Sequence, residues 1–478
     1  MTMSVTTPRI GYDELLKDVF RNRKAVAGER AIKAEEVLFL PPLPSMCCST
    51  IGDTENGFET IRSTGLTLEG RASYNIYLSL AYFYGASGRT VDGLSGLIFS
   101  KSAVCELPPV IDYLKSNADG RGNSLRTSAK NEVKEAMITP RSGLLVDYPN
   151  TTGRVSILDS ENGNLRPKIL DYPYESIINY HYSIQNNEQK LTLVVLREVQ
   201  ETVKDRFKIE QEYQYRVLEL IEGVYIQSLY DKGGVELQEP TVILVNGATS
   251  NEIPFYMVEV GAEEKAIIND LVDANLNHYR FFADYAAKEH ASAFPIFYET
   301  GVVGDDENII IGPNTKWSSR SPDAQFGVLQ TQSDGGSMRQ YLLDMENRMA
   351  ALGAEMLKPR IAGAESAEAK SLDQVAQNST TADVARTVSE AYTKALNFCS
   401  RWLGGPEDCV YELNTDYNPK SMDAQTLTAL IAAWQGGAIS YETFYENMQR
   451  GEIASTNRNV EQEKAMIATD STGMNDAV

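Results

Sequence analysis

The chain has 478 residues, and its 66 acids against 44 bases give a formal net charge of −22. Its 42% apolar and 23% charged composition is that of a globular protein with room for two to four domains. No apolar run approaches a bilayer span, which excludes a helical membrane protein, and five cysteines without a CxxC argue against a disulfide framework. The first ten residues lack the apolar core of a signal peptide. So acidic a surface repels nucleic acid, yet a surface past which DNA slides without sticking is also acidic.

Tyr12, Leu15, Leu16, Val19 and Phe20 share one helical face, among charges at Arg21, Arg23 and Lys24 expected to be solvated. Val37 to Pro44 reads as extended and proline-locked. A helix over Leu68 to Phe83 breaks at Gly85-Ala86-Ser87-Gly88, after which Thr90 to Phe99 alternates small and apolar residues. Asp119 to Asn123 is a turn that lacks the remaining ligands of a calcium loop. Ser124 then caps a helix reaching Met137, and Gly143 to Pro149 is a buried strand.

From Lys190 to Val260 short strands follow one another with alternating charges, predicting a mostly antiparallel sheet with one wet face. Residues 263–290 return to helix: Ile267, Leu271, Ala274, His278, Phe281 and Tyr285 recur at spacings of four and three. Pro295-Ile-Phe-Tyr and Asn308-Ile-Ile-Ile-Gly-Pro read as strands. Two helical runs follow, Tyr341 to Leu357 and Ala364 to Leu403, joined by Lys358-Pro359-Arg360-Ile361-Ala362-Gly363. The second has forty residues without Gly or Pro, ~60 Å of helix, with a kink expected at the poor helix formers Asn378 to Thr381. A strand at Val410 to Leu413, helices over Asp423 to Gln435 and Tyr441 to Gln449, and a disordered stretch of about fourteen residues complete the chain.

The usual catalytic signatures are missing. His181, His278 and His290 match no zinc spacing, and there is no phosphate loop, dinucleotide fingerprint or nucleophile elbow. Asp305-Asp306-Glu307 reads as a solvated turn, and no carboxylate pair stands out in so acidic a chain. A long, organised chain without a convincing active site points to a structural or assembly role rather than an enzyme.

The order of motifs from about Leu38 to Gly451 resembles a known family. These are Phe39-Leu-Pro-Pro-Leu-Pro, Tyr82 through Arg89-Thr-Val-Asp-Gly-Leu-Ser-Gly-Leu-Ile-Phe, Asp119-Gly-Arg-Gly-Asn-Ser-Leu, Gly143-Leu-Leu-Val-Asp-Tyr-Pro, and Tyr174-Glu-Ser-Ile-Ile-Asn-Tyr. Leu196-Arg-Glu, Ile253-Pro-Phe, the Leu271-to-Tyr285 run closing on His290 and Pro295, Ile310-Ile-Gly-Pro, Met349-Ala-Ala-Leu-Gly-Ala and the Trp434–Ser440 turn follow. No single piece is diagnostic; together they resemble the portal proteins of tailed bacteriophages, in a branch with a poorly characterised domain. Gly85-Ala-Ser-Gly and Thr139-Pro140 depart from that pattern.

The resemblance implies an α+β portal-type fold with long stem and wing helices, a strand-rich clip and a helical C-terminal crown. Its parts would be an N-terminal segment 1–61, wing 62–171, first stem helix 172–185, clip 186–262, second stem helix 263–290, wing 291–403 and crown with tail 404–478. Within the second wing part lie a tunnel loop 358–363 and a spine helix 364–403. It implies a homo-oligomeric ring, in this family usually of twelve, at one capsid vertex of the virion, assembled in the host cytoplasm. Double-stranded DNA would pass through without sequence specificity, and terminase, head-completion or tail adaptors, and major capsid and scaffolding proteins would dock. No membrane, cofactor, metal or catalysis is implied. DNA-facing residues would be Lys358, Pro359, Arg360, Ile361, Ala362 and Gly363, with Asn275, His278 and Lys288 lining the channel. The competing readings are a capsid or tail adaptor or scaffold without a channel and, third, a phage enzyme recruiting scattered carboxylates.

Overall fold

The computed structural model describes residues 5–47, 66, 68–148, 165–185, 187–261, 265–293, 296–300, 323, 325–329, 335–354, 367–417, 424–451, 453–454 and 458–474. The fold is α+β and divides into two units, Met1–Leu413 and Asn414–Val478. In the first unit, helices α1 (Tyr12–Ala27), α2 (Glu29–Ala34), α3 (Leu68–Leu80) and α4 (Ala86–Ile98) precede strand β1 (Val104–Glu106) and helix α5 (Leu125–Ile138). Strands β2 (Ser142–Asp147), β3 (Lys168–Tyr172), β4 (Ile177–Gln185), β5 (Glu188–Val203), β6 (Ile209–Ile221), β7 (Val224–Asp231) and β8 (Glu236–Val242) follow, then β9 (Leu244–Val245), β10 (Ala248–Thr249) and β11 (Phe255–Val258). Helix α6 (Asn269–Ala293), the hairpin β12 (Ile296–Thr300) with β13 (Gln325–Leu329), helices α7 (Gly336–Met349) and α8 (Ala367–Trp402), and strand β14 (Val410–Glu412) complete the unit.

Strands β4 to β8 form one antiparallel meander, as the alternating charges predict. One of its faces closes on a second sheet, ordered β11-β2-β3, and Val194, Leu196, Leu218 and Tyr225 meet Leu145, Tyr172 and Phe255 in one apolar core. Gly143 makes room there: a Cβ at this position would stand 2.2 Å from the Phe255 ring.

The sequence reading needs correction in several places. Residues 172–185 are no stem helix but a single 3-10 turn, Tyr174–Ser176, followed by β4. Its Ile, Tyr and His residues suit a pleated strand, and a register shift between Ile177 and Asn179 lets both Ile177 and Ile178 be buried. The Gly85–Gly88 break lies earlier, since α4 already begins at Ala86, and Thr90 to Ile98 is helical. Arg23 is only partly solvated: it bridges Glu135 of α5 and Glu175 of the 3-10 turn. Asn308 to Pro313 lies outside the described residues.

Helix α8 runs unbroken through Asn378 to Thr381, where a kink was expected. Thr381 is buried there beside Ala382, Val384 and Ala385, so tertiary packing overrides the weak local propensity. Its C-terminal half buries most of its circumference, through Val388, Ala391, Tyr392, Ala395, Leu396, Phe398 and Cys399, and leaves one exposed stripe of Asp383, Arg386, Glu390 and Lys394. Three of its polar side chains reach β14 and its flanks: Asn397 Oδ1 accepts from Cys409 N (3.0 Å), Thr393 Oγ1 from Tyr411 N (3.2 Å) and Ser389 Oγ from Leu413 N (2.9 Å). The other edge of β14 pairs with β1.

The second unit holds α9 (Ala424–Gln435), α10 (Tyr441–Arg450) and α11 (Val460–Met474). Ser440 caps α10 through Thr443 N. The expected disordered end is helical to Met474, because Asn459 and Gln462 form a reciprocal capping pair (2.8 and 3.1 Å) ahead of good helix formers.

Replacing Thr393 by Val removes the acceptor from the Tyr411 N–H in a partly buried setting. It is expected to cost about 1–3 kcal/mol in urea unfolding.

Candidate functional site

The six loop residues Lys358, Pro359, Arg360, Ile361, Ala362 and Gly363 lie outside the described residues. Their flanks are described. Helix α7 passes into a π turn, Ala350–Ala354, in which Gly353 adopts φ 137°, a conformation that glycine tolerates, and α8 resumes at Ala367.

The other nominated residues sit on α6, and two of them are placed differently from the expectation. Asn275 and His278 are buried within the protomer, at 0% and 1% exposure, so they do not present themselves to a channel. The reason is periodicity: Leu271, Asn275 and His278 follow one another at four and three residues and share the inward face.

Asn275 serves as a cap supplied by another helix. Gly85, ahead of α4, has no side chain with which to cap it, and Asn275 Oδ1 accepts instead from Ser87 N (3.2 Å) and Ser87 Oγ (3.0 Å). Its Nδ2 donates to Tyr84 O (3.1 Å). His278 stands beside Tyr84 and Phe282, ring centroids 5.5 and 6.2 Å away, with Nε2 3.4 Å from Glu346 Oε1 of α7. Burial pushes its pKa below the ordinary imidazole value, and the Glu346 carboxylate only partly opposes this. Lys288 is half-buried, its ammonium 3.8 Å from Met338 Sδ on α7. These three residues fasten α4, α6 and α7 together.

A second polar group escaped the sequence reading. Ser128 of α5 donates to Asp171 of β3 (2.8 Å), and Tyr392 of α8 donates to Ser128 Oγ (2.9 Å) and lies 3.3 Å from Asp171 Oδ1. Crowding by surrounding protein raises the Asp171 carboxyl to about 6, against the hydrogen bonds from Ser128 and Tyr392. One turn along α5, Glu132 is buried at 2% exposure and accepts from Ser142; burial, with Asp171 nearby, pushes its pKa well up. A carboxyl titrating near 6 is chemically suited to proton transfer. Here both hydroxyls that touch it come from packed helices, so the group ties α5, β3 and α8 together. Its sequence signal was a Ser-Glu pair at i, i+4 on the apolar face of α5.

Among the described residues no group of three or more His, Cys, Asp or Glu side chains is disposed to hold a metal ion. No described helix is long and apolar enough to cross a membrane.

Residues 268–403, from just before α6 to just past α8, match the family described as a domain of unknown function (DUF4055). No curated protein matches the chain. Among solved structures the chain is similar to one described as the neck of an empty GTA particle computed with C6 symmetry, at 10% identity, a TM-score of 0.38, and coverage of 80% of this chain and 93% of that one.

The buried groups make stability depend on pH in opposite directions. The folded-state pKa of His278 is depressed, so its contribution is present above the ordinary value of 6.5 and lost as pH falls through the folded value. Thermal unfolding of His278→Leu is expected to lose that acid-side slope. Glu132, with a raised folded pKa, contributes fully below 4.5 and loses that contribution as pH rises through the folded value. Glu132→Gln keeps an acceptor for Ser142 and is expected to flatten the alkaline-side decline in the same measurement.

Proposed function

We propose that the protein is a portal protein of a tailed bacteriophage: copies form a ring at one capsid vertex, and double-stranded DNA passes through it during packaging and ejection. Terminase and, later, head-completion or tail adaptors dock on it, and major capsid and scaffolding proteins surround it. In this reading it is not an enzyme and needs no cofactor. The observation that carries the reading is the order and spacing of the motifs from Phe39-Leu-Pro-Pro-Leu-Pro to the Trp434–Ser440 turn.

The physical properties support it. A channel wall needs long helices, and α6 with 25 residues and α8 with 36 correspond to ~38 and ~54 Å of helix. The strand-rich meander of β4 to β8 forms a five-stranded sheet of its own, as a clip would need. The charge of −22 keeps an aqueous lumen from gripping phosphates, whereas a basic lumen would retain DNA by counterion release. Lys358 and Arg360 are then a local basic ring that touches the phosphate backbone without reading sequence. Asn275 and His278 have no part in that lining.

The native mass of the purified protein tests the assembly, and negative-stain images test the channel. Closed rings with a central hole, with a mass near twelve times the 52.9 kDa chain, are expected. Compact particles without a hole would favour an adaptor or scaffold, and a monomer at every concentration would refute the ring. Replacing both Lys358 and Arg360 by Ala is expected to lower DNA packaged or retained per particle several-fold while leaving ring mass unchanged; unchanged DNA content would remove the loop from the mechanism.

A further inference from the structure

Helices α4 and α5 lie side by side and run antiparallel. Lys134 of α5 donates to Asp92 of α4 (2.6 Å), and Arg126, near the start of α5, donates to Phe99 O just past the end of α4 (3.1 Å). Between those two contacts Lys130 comes level with Gly96. The exposed residues of α4 are Arg89, Asp92 and Gly96, and those of α5 are Arg126, Thr127, Lys130 and Asn131.

This surface is basic on an acidic chain. Asp92 and Lys134 neutralise each other. Arg89, Arg126 and Lys130 form no ion pair among the described residues, so their charges stand together and uncompensated on a chain of −22. Arg126 is also held in place, by its bond to Phe99 O and by the Phe99 ring 5.6 Å away, so little further ordering is needed when it binds. From Arg89 to Phe99, beside Arg126, α4 advances ~15 Å, the rise of about four phosphates along one strand of a duplex.

Gly96 adds a second observation. Glycine is a poor helix former, yet Gly96 has no positive φ, and a Cβ there would meet nothing within 4 Å. Neither backbone conformation nor packing within the chain calls for it. Its missing side chain leaves a low floor beside Lys130, where another backbone can come close.

We propose that this α4–α5 surface binds the phosphate backbone of double-stranded DNA, without reading sequence, through Arg89, Arg126 and Lys130. The contact is distinct from the 358–363 loop and rests on the portal reading only for the source of the DNA. Composition favours a nucleic acid over a protein partner. Protein–protein interfaces have a core depleted of charge and rich in large apolar groups, and no large apolar side chain of α4 or α5 is exposed. Thr127 and Asn131 are instead of the neutral hydrogen-bonding types that accompany Arg and Lys on phosphates.

Fluorescence anisotropy with a short labelled duplex of random sequence, over a range of salt, tests the contact. The parent for this test carries Lys358→Ala and Arg360→Ala, so that the loop contributes nothing. It is expected to bind the duplex with an affinity that falls as salt rises. Adding Arg126→Ala and Lys130→Ala is expected to lower affinity about tenfold at low salt and the salt slope by about two, whereas Lys130→Arg keeps both. Gly96→Ala is expected to raise the thermal unfolding midpoint and still weaken DNA binding, a pairing that a purely structural glycine does not give. Circular dichroism and native mass of the same samples serve as the folding and assembly controls. Three outcomes would overturn the DNA contact and leave the ring reading standing: rings that do not bind the duplex, unchanged affinity and slope on removing Arg126 and Lys130, or tighter binding of poly-glutamate than of DNA. A parent that neither binds the duplex nor forms rings would overturn both.

Discussion

The first unit depends on a match of spacing between a helix and a strand. Side chains four residues apart on α8 rise ~6 Å, close to the ~6.6 Å covered by two residues of a strand. Ser389, Thr393 and Asn397 therefore meet the backbone N–H groups of Leu413, Tyr411 and Cys409 in step, in antiparallel order. A strand of three residues, β14, thereby has both edges satisfied, one by β1 and one by a helix. On α8 Tyr392 reaches Ser128 and Asp171, so the same helix also holds α5 and the β2–β3 sheet. On its buried faces such a helix has no unpaired polar group to spare.

That arrangement explains which parts were legible in the sequence. Forty residues without Gly or Pro announced α8, and short alternating strands announced the meander, because both signals come from periodicity. The ladder could be seen only as a row of Ser, Thr and Asn at intervals of four, which also fits a wet helix face. Its meaning depends on a strand lying beside it. The β4 segment failed for the opposite reason: Ile177-Ile178 suits either period, and only the bulge shows how a strand buries both. Local propensity misled at Asn378 to Thr381, where packing of Thr381 and Ala382 outweighs a few tenths of a kcal/mol per residue.

The functional residues show the same division. The resemblance implies that Asn275 and His278 line a channel. Their register with Leu271 carries them inward, where one caps α4 and the other is buried against Glu346 with its pKa lowered by burial. In both cases a polar residue in an apolar register marks a fastening between helices. Applied to α5, that rule would have found Ser128 and Glu132 from sequence alone.

Charge sets the remaining constraint. In the proposed ring, subunits of a chain at −22 come together against long-range repulsion, screened over about 8 Å at physiological salt. Apolar contact has to supply the attraction, with basic groups only where the surfaces meet. The same balance separates two salt effects in a ring. Added salt relieves repulsion between whole subunits while it weakens any ionic contact between them, so ring assembly is expected to pass through a maximum at intermediate ionic strength rather than fall steadily as it does for a purely ionic interface.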